Sequence, residues 1–295
     1  MRRISTSYRV FLYVANLLAI GFLVLPLIPV VLGSLQSEKA VQRDVYTLLP
    51  REYTVANFQL VLSGGSRRGP IFEQVSYLPA SVARFPAAFL NSAIVGAGVT
   101  CLTLVVGSLS AYTIARLDLR WTRALLQLSL ASRMVPLIML MVPLYVLFRQ
   151  LGMLNSLAGV IIAEVGFLMP YAILILVPYF ASLPAELEDA ARIDGCTRFG
   201  AFLRVVLPLS TPGLAACGVI MFILSWHELL IPLILLNRPE FMTLPVILAG
   251  LVSDYFVFFT LMMAICLLGL APTLVLVLAL QKYVVRGLVA GAIKG

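Results

Sequence analysis

Long uncharged apolar stretches recur along the chain, separated by short polar segments. A helix that crosses a hydrocarbon core of about 30 Å needs about 20 apolar residues. Charges interrupt the third and fourth stretches, at Arg133 and Glu164, and His227 and Glu228 lie near the end of the fifth. The pattern therefore predicts an all-α membrane protein of about six transmembrane helices, over residues 11–35, 86–115, 124–148, 157–181, 212–236 and 255–281.

Composition agrees with lipid as the main solvent of this chain. Of its 295 residues, 61% are hydrophobic and 12% are charged, against about 45–50% and about 25% in soluble domains. The net charge of +8 is explained by the Lys and Arg that membrane proteins keep in cytoplasmic loops. The four cysteines are far apart in sequence and are interpreted as small core residues.

The distribution of basic residues predicts the orientation. They concentrate before the first predicted span, between the second and third, between the fourth and fifth, and after the sixth. The long segment 36–85 also carries six basic residues, but four acids offset them. We therefore expect both termini in the cytoplasm. The predicted layout is an N-terminal tail and first helix over 1–35, an extracytoplasmic segment over 36–85, and a membrane-embedded core with a cytoplasmic C-terminal tail over 86–295.

A polar segment over residues 182–211, between the fourth and fifth predicted spans, is typical of two short helices on the cytoplasmic face. In the first helix, Pro184 suits the first turn and Gly195 suits the end. Ala190 and Ala191 allow close approach of another protein's backbone. Three acids suit the positive end of the helix dipole: Glu186, Glu188 and Asp189. This first helix is predicted to be a docking surface.

The second short helix is predicted to lie in the membrane interface. Its apolar residues recur at helical spacing and form one stripe, whereas Arg198 and Arg204 lie elsewhere. The stripe consists of Phe199, Phe202, Leu203 and Val206. An ordinary polar loop is the alternative interpretation of the whole segment.

The same segment resembles the EAA loop of ABC-importer permeases, whose pattern is E-A-A-x-x-x-G followed by a hydrophobic-x-Leu-Pro. Asp189-Ala190-Ala191 and Gly195 match it, with Asp in place of the usual Glu, and residues 205–208 complete it. The sequence Ile193-Asp194-Gly195 resembles that of the carbohydrate-uptake branch of these permeases. Further matches lie at residues 88–95, 111–117, 142–145, 151–156 and 225–229, and the ending 291–295 resembles the tail of MalG-type subunits.

This resemblance implies a type I ABC-importer-like fold with a cytoplasmic coupling helix between spans four and five. It also implies partners: two ATP-binding subunits, a second homologous permease and an extracytoplasmic solute-binding protein. The residues implied to dock on the ATPase are Pro184, Glu186, Glu188, Asp189, Ala190, Ala191, Asp194 and Gly195, with Lys294 and Gly295 in the tail. The expected solute is a di- or oligosaccharide, with glycerol 3-phosphate or another polar solute as the alternative.

The chain is not expected to be an enzyme or to bind a cofactor. It has no G-x-x-x-x-G-K-[ST] loop for ATP phosphates, and one histidine with no clustered metal ligands. ATP and magnesium are therefore expected in the partner ATPase. A secondary transporter and a non-transporting membrane scaffold are the rival classes; the absence of an internal repeat argues against the first.

Charges within or near the predicted spans are candidates for the translocation path. A charge at the centre of a spanning helix costs about 2.5–3.5 kcal/mol on insertion scales, so it usually faces a cavity or a partner. Arg133 and Glu164 therefore either line the path or form structural pairs, with each other or with a second permease, and Arg133 can also snorkel. His227 and Glu228 are candidates for a gate near the outer end of the fifth span.

Overall fold

The computed structural model describes residues 6–43, 52–65, 80–117, 120–252 and 257–292, and these residues are mostly helical. A π-helical turn covers Phe202–Val206, and a 3-10 turn covers Pro239–Phe241. In chain order the α-helices are α1 (Thr6–Val24), α2 (Leu27–Ser34), α3 (Glu38–Arg43), α4 (Ala56–Leu62), α5 (Ala80–Ala83), α6 (Phe85–Arg116), α7 (Thr122–Ser132), α8 (Leu137–Gln150), α9 (Leu157–Ser182), α10 (Glu186–Ile193), α11 (Arg198–Ala201), α12 (Leu207–Leu209), α13 (Thr211–Trp226), α14 (Leu230–Leu235), α15 (Leu244–Ala249) and α16 (Phe259–Ala292).

Helix length and apolarity confirm an all-α membrane protein with up to six spans. Helices α1, α6, α9 and α16 are each long and apolar enough to cross a membrane. Two bent pairs bring the number to six if each pair is one span: α7 with α8, at 99°, and residues 198–209 with α13, at 76°. The side chains of α1 described from Ser7 onward are all exposed, as expected where lipid is the solvent.

Two predicted spans are not straight helices. The third breaks at residues 133–136, between α7 and α8, because Pro136 takes an extended backbone (ψ 131°) before α8 begins. The fifth was expected over 212–236, but α13 ends at Trp226 and residues 227–229 separate it from α14. The first break contains Arg133 and the second contains His227 and Glu228. Apolar sequence continues on both sides of each break, so a hydropathy window long enough to define a span does not reveal them.

The chain divides into two compact units. The first comprises Met1–Pro86 and Ile247–Leu270, and a buried polar network holds it together. The Glu38 carboxylate accepts hydrogen bonds from the backbone N–H of Phe259 and Thr260, at 3.2 and 3.0 Å, and from the Thr260 hydroxyl. The first N–H groups of a helix have no intrahelical partner, so Glu38 caps the beginning of α16.

The second unit comprises Ala87–Val246 and Ala271–Gly295. In this unit α6 packs directly against α9 through small residues. A methyl group added to Gly98 would lie 2.8 Å from Ile161 Cδ1, and one added to Gly107 would lie 3.0 Å from Ala172 Cβ. Such close approach is how helices associate in membranes, where van der Waals packing replaces the hydrophobic driving force.

Candidate functional site

The predicted docking helix exists as α10, at Glu186–Ile193. It begins two residues after Pro184, so this proline precedes the helix instead of lying in its first turn. Gly195 ends the helix in the predicted left-handed conformation, with φ +91°. The N–H of Cys196 then donates to the carbonyl of Ala191 at 3.0 Å, the pattern of a glycine-terminated helix.

One face of α10 is exposed and mainly acidic. Glu186 and Asp194 are exposed, and the Asp189 side chain, 66% exposed, lies 3.5 Å from the Arg192 guanidinium. Ile193 is 87% exposed, which is unusual for an apolar side chain beside acids. The two predicted small residues differ, because Ala190 is exposed whereas Ala191 is buried.

Glu188, by contrast, contacts the body of the protein. Its side chain is 13% exposed, and its carboxylate accepts a hydrogen bond from the Tyr112 hydroxyl. The Arg116 Nε lies 4.0 Å from the same carboxylate, and Arg116 Nη2 donates to the carbonyl of Leu183 at 2.6 Å. We call Tyr112, Arg116, Leu183 and Glu188 the inner latch, because the sequence predicts that this end of α6 is cytoplasmic. It joins the C-terminal end of α6 to α10.

An aromatic cluster supports the latch. The Tyr112 ring lies 4.7 Å from the Phe202 ring and 6.5 Å from the Phe180 ring, and all three side chains are buried. Phe202 begins the π-helical turn of the second short helix. The apolar stripe expected there divides: Phe202 and Val206 are buried, whereas Phe199 and Leu203 are exposed.

At its other end, α6 binds the loop 236–243. The Asn91 amide Nδ2 donates to the carbonyls of Glu240 and Met242, at 2.9 and 3.0 Å. The next residue, Ser92, accepts a hydrogen bond from the N–H of Leu244 at 2.8 Å. We call these three hydrogen bonds the outer clamp, because the sequence predicts that this end of α6 is extracytoplasmic. They bind the loop and the beginning of α15 to Asn91 and Ser92 of α6.

Asn155 holds the same loop from the other side. It has φ +55°, the only positive φ at a non-glycine residue among the described residues. In this conformation its Oδ1 accepts hydrogen bonds from the N–H groups of Asn237 and Arg238, at 2.6 and 2.8 Å, while its own N–H donates to the carbonyl of Leu235. Asn tolerates left-handed backbone better than most residues, which explains this choice.

Arg133 lies where α7 ends and is held by α9. Its Nη1 donates to the carbonyl of Phe167 at 2.8 Å, and its Nη2 contacts the Tyr171 hydroxyl. The guanidinium carbon lies 4.3 Å from the Phe167 ring centre and 3.8 Å from the Tyr171 ring centre. These are cation–π distances, so Arg133 fastens the bent pair α7–α8 to α9.

Glu164 is nearly fully buried, at 1% exposure, between α9 and α13. The Ser225 hydroxyl donates to its Oε2, and its Oε1 has no hydrogen-bond partner among the described residues. The ion pairs within the part of the chain that the structure describes do not join Glu164 to Arg133. Each of the two charges therefore has its own polar partners.

The break after α13 contains the two remaining candidate path residues. Glu228 turns back on the backbone, accepting hydrogen bonds from the N–H groups of Leu230 and Ile231 at 2.8 and 3.3 Å. His227 is exposed. Across the described ranges, no three His, Cys, Asp or Glu side chains gather as a metal site would require. Lys294 and Gly295 lie outside the described residues.

An apolar cavity of about 770 Å³ lies beside α6, α13 and α16 in the second unit. Its lining includes Thr100, Leu104, Gly218 and Leu276. None of the four candidate path residues lines it. The cavity therefore offers apolar contact and no charge.

Several long apolar helices, with an exposed acidic helix between two of them, define a multi-pass membrane protein. Residues 103–289 match the family of binding-protein-dependent transport system inner membrane components. The sulfoquinovosyl glycerol transport system permease protein SmoH of Agrobacterium fabrum is 34% identical over 271 residues, covering 92% of this chain and 88% of SmoH. The arabinooligosaccharides transport system permease protein AraQ of Halalkalibacterium halodurans is 31% identical over 287 residues, covering 95% and 96%. The chain belongs to this family of permease subunits.

A solved structure shares the fold. A bacterial ABC transporter involved in the import of the acidic polysaccharide alginate contains a chain with a TM-score of 0.74 and 22% identity, covering 96% of this chain and 99% of that one. The sequence resemblance to ABC-importer permeases is thereby confirmed in both family and fold.

Several residues of the site have roles that the sequence did not predict. Tyr112, Arg116, Asn91 and Asn155 fall within stretches that resemble the family, but nothing local assigns a partner to them. A signal was present at Asn91-Ser92, a polar pair early in an otherwise apolar run. A buried polar group needs a hydrogen-bond partner, so such a pair indicates a polar contact even when its partner is far away in sequence.

Proposed function

We propose that this permease subunit imports a di- or oligosaccharide or a related glycoside. Support comes from the relatives: SmoH is named for a sulfoquinovosyl glycerol and AraQ for arabinooligosaccharides. The solved chain with the same fold belongs to an importer of a polysaccharide. Their solutes share a carbohydrate unit, which makes a carbohydrate the favoured solute class here.

In the proposed mechanism, α10 is the coupling helix that docks on an ATP-binding subunit. The proposal depends most on the exposed surface of this helix, which carries the acids Glu186, Asp189 and Asp194 together with the 87% exposed Ile193. An exposed apolar side chain on the same short helix as exposed charges has the mixed composition of a protein interface. Lys294 and Gly295 are proposed to reach the same ATPase pair.

The proposed assembly contains two ATP-binding subunits, a second homologous permease and an extracytoplasmic binding protein. ATP and magnesium are bound and hydrolysed in the ATP-binding subunits, and this chain is non-catalytic. Both termini and α10 lie in the cytoplasm, and the segment 36–85 lies outside. The basic residues near the predicted inner ends of the spans support this orientation.

The four candidate path residues have different proposed roles. Arg133 and Glu164 hold α9 against its neighbours, because each has hydrogen-bond partners on another helix. His227 is exposed beside the break after α13 and is the residue of the four best placed to meet a polar solute. Glu228 shapes that break by binding two backbone N–H groups.

The coupling assignment is tested with the complete transporter in lipid nanodiscs. Asp189→Arg should lower the ATPase activity stimulated by solute-loaded binding protein by about tenfold or more, because it reverses a charge on the docking face. Arg192→Ala is the control, since it breaks the only ion pair that the described structure gives Asp189. Full stimulation in Asp189→Arg would refute docking through α10. A thermal-shift screen of the binding protein against sugars identifies the solute.

A further inference from the structure

We propose that α6 transmits movement from one side of the transporter to the other as a single rigid helix. In this proposal α6 carries the movement of α10, through the inner latch, to the loop 236–243, through the outer clamp. The inference rests on the proposed function, because it needs α10 to dock on an ATPase and the loop to face the binding protein. It adds how the two docking surfaces communicate.

The inner latch makes α10 and α6 move together. Tyr112 and Arg116 are one helical turn apart, so both side chains lie on the same face of α6. They hold two points of the inner segment, the Glu188 carboxylate and the Leu183 carbonyl. Hydrogen bonds that involve a charged group are each worth about 1.5–3 kcal/mol. A displacement of α10 therefore either breaks these bonds or moves the end of α6.

The outer clamp is equally specific. A single amide, Nδ2 of Asn91, donates to two carbonyls of the loop, at Glu240 and Met242. Ser92 accepts from the N–H of Leu244, where the loop ends. Backbone groups of the loop are thus bound to two adjacent residues of α6, so the loop follows this end of the helix.

Between the two ends, α6 is stiff and has the right length. It is one unbroken helix of 32 residues, whereas α9 contains two internal prolines and α16 contains one. A helix rises 1.5 Å per residue, which places Asn91 and Tyr112 about 32 Å apart along the axis. That distance matches the hydrocarbon thickness of about 30 Å. The latch and the clamp therefore lie at opposite membrane surfaces.

Close packing makes α6 respond as a rigid body. A methyl group added at Gly98 or Gly107 would lie within 3.0 Å of a side-chain atom of α9, so α6 packs tightly against α9 at both positions. Packed interfaces of this kind switch between discrete arrangements and do not deform continuously. A push at Tyr112 is expected to reach Asn91 as a displacement of the whole helix.

The test uses the complete transporter in nanodiscs with its binding protein. Tyr112→Phe removes only the hydroxyl that reaches Glu188 and keeps the ring in its aromatic cluster. Asn91→Leu keeps the side-chain size and removes both donated hydrogen bonds. The matched control is Thr113→Val, since the Thr113 hydroxyl bonds only within α6, to the Leu109 carbonyl at 2.9 Å. Each experiment records complex assembly, basal ATPase activity and activity stimulated by loaded binding protein.

Each of Tyr112→Phe and Asn91→Leu should lower the stimulated ATPase activity at least fivefold, with assembly and basal activity unchanged. A nonhydrolysable ATP analogue should raise the affinity of the complex for the binding protein, and the binding protein should raise its affinity for the analogue. By linkage, each variant should lower these two gains in affinity by the same factor.

Three results separate the alternatives. Full stimulation in either single variant overturns the proposal. Loss of assembly or of basal activity in both variants also overturns it, because the contacts then serve only folding. A wild-type complex that shows no stimulation refutes the proposed function itself.

Discussion

Replacing Asn155 tests how strongly the loop 236–243 is held in place. The Asn155 side chain accepts two short hydrogen bonds from the loop backbone, and its own backbone is left-handed. In Asn155→Ala both hydrogen bonds disappear, at about 1 kcal/mol each. Alanine also adopts left-handed backbone less readily than Asn, which adds about 1 kcal/mol. The free energy of opening the loop at Asn237 and Arg238 should fall by about 2–3 kcal/mol.

Two further variants separate these contributions. Asn155→Gly loses the acceptor but favours the positive φ, so its loss should be smaller, at about 1–2 kcal/mol. Asn155→Asp keeps an acceptor oxygen in the same position and tolerates the backbone, so it should stay within about 0.5 kcal/mol of wild type. The stability of the loop should therefore fall in the order Asn155→Asp, Asn155→Gly, Asn155→Ala.

The assay is hydrogen exchange of the Asn237 and Arg238 amides in purified protein, because exchange reports local opening. Every 1.4 kcal/mol is a tenfold change in the opening equilibrium, so Asn155→Ala should exchange these amides about 30- to 150-fold faster. Amides in the middle of α9 serve as the internal control and should not change. Wild-type protection in Asn155→Ala, or equal exchange in all three variants, would refute the reasoning.

Three other substitutions have outcomes that thermal unfolding of the purified protein can measure. Gly195→Ala should lower the free energy of unfolding by about 1–2 kcal/mol. The loss comes from backbone strain alone, since an added methyl group meets nothing within 4 Å. Gly195→Asn should lower stability less, and an equal loss would contradict the strain argument. Arg133→Lys should lower the free energy of unfolding by about 1–3 kcal/mol, because an ammonium group cannot both stack on Tyr171 and donate in two directions. An unchanged unfolding midpoint would show that the stacking contributes nothing. Ser225→Ala should lose about 1–3 kcal/mol by leaving Glu164 without the one donor that the described structure gives it; Ser225→Thr, which keeps the hydroxyl, should be milder, and the reverse order would contradict the assignment.

The sequence predicted those parts of the fold that depend on local features, such as the length of an apolar stretch or a glycine at a helix end. Spans such as α6 and α9 could be located within one residue, because about 20 apolar residues are needed to cross the membrane. The end of α10 at Gly195 was predictable because glycine favours left-handed backbone. Proline was a poorer guide. Pro170 and Pro178 lie inside α9, whereas Pro136 precedes the beginning of α8, and local sequence does not distinguish these cases.

The candidate site was predictable where function depends on exposure and not where it depends on distant contacts. An acidic helix with three carboxylates was evident, but the inward orientation of Glu188 depends on Tyr112, which is 76 residues away in sequence. Likewise, the role of Asn155 depends on backbone groups of Asn237 and Arg238. Side chains that bond to backbone far along the chain are invisible to periodicity, because the partner has no side-chain signature.

The elbow between α7 and α8 determines where lipid can lie. The last carbonyls of one helix and the first N–H groups of the next have no intrahelical partners, and at this elbow the axes diverge by 99°. Acyl chains cannot satisfy such groups, so irregular backbone at membrane depth survives only against protein or water. If the pair α7–α8 is one span, residues 133–136 must therefore contact protein or water and not acyl chains.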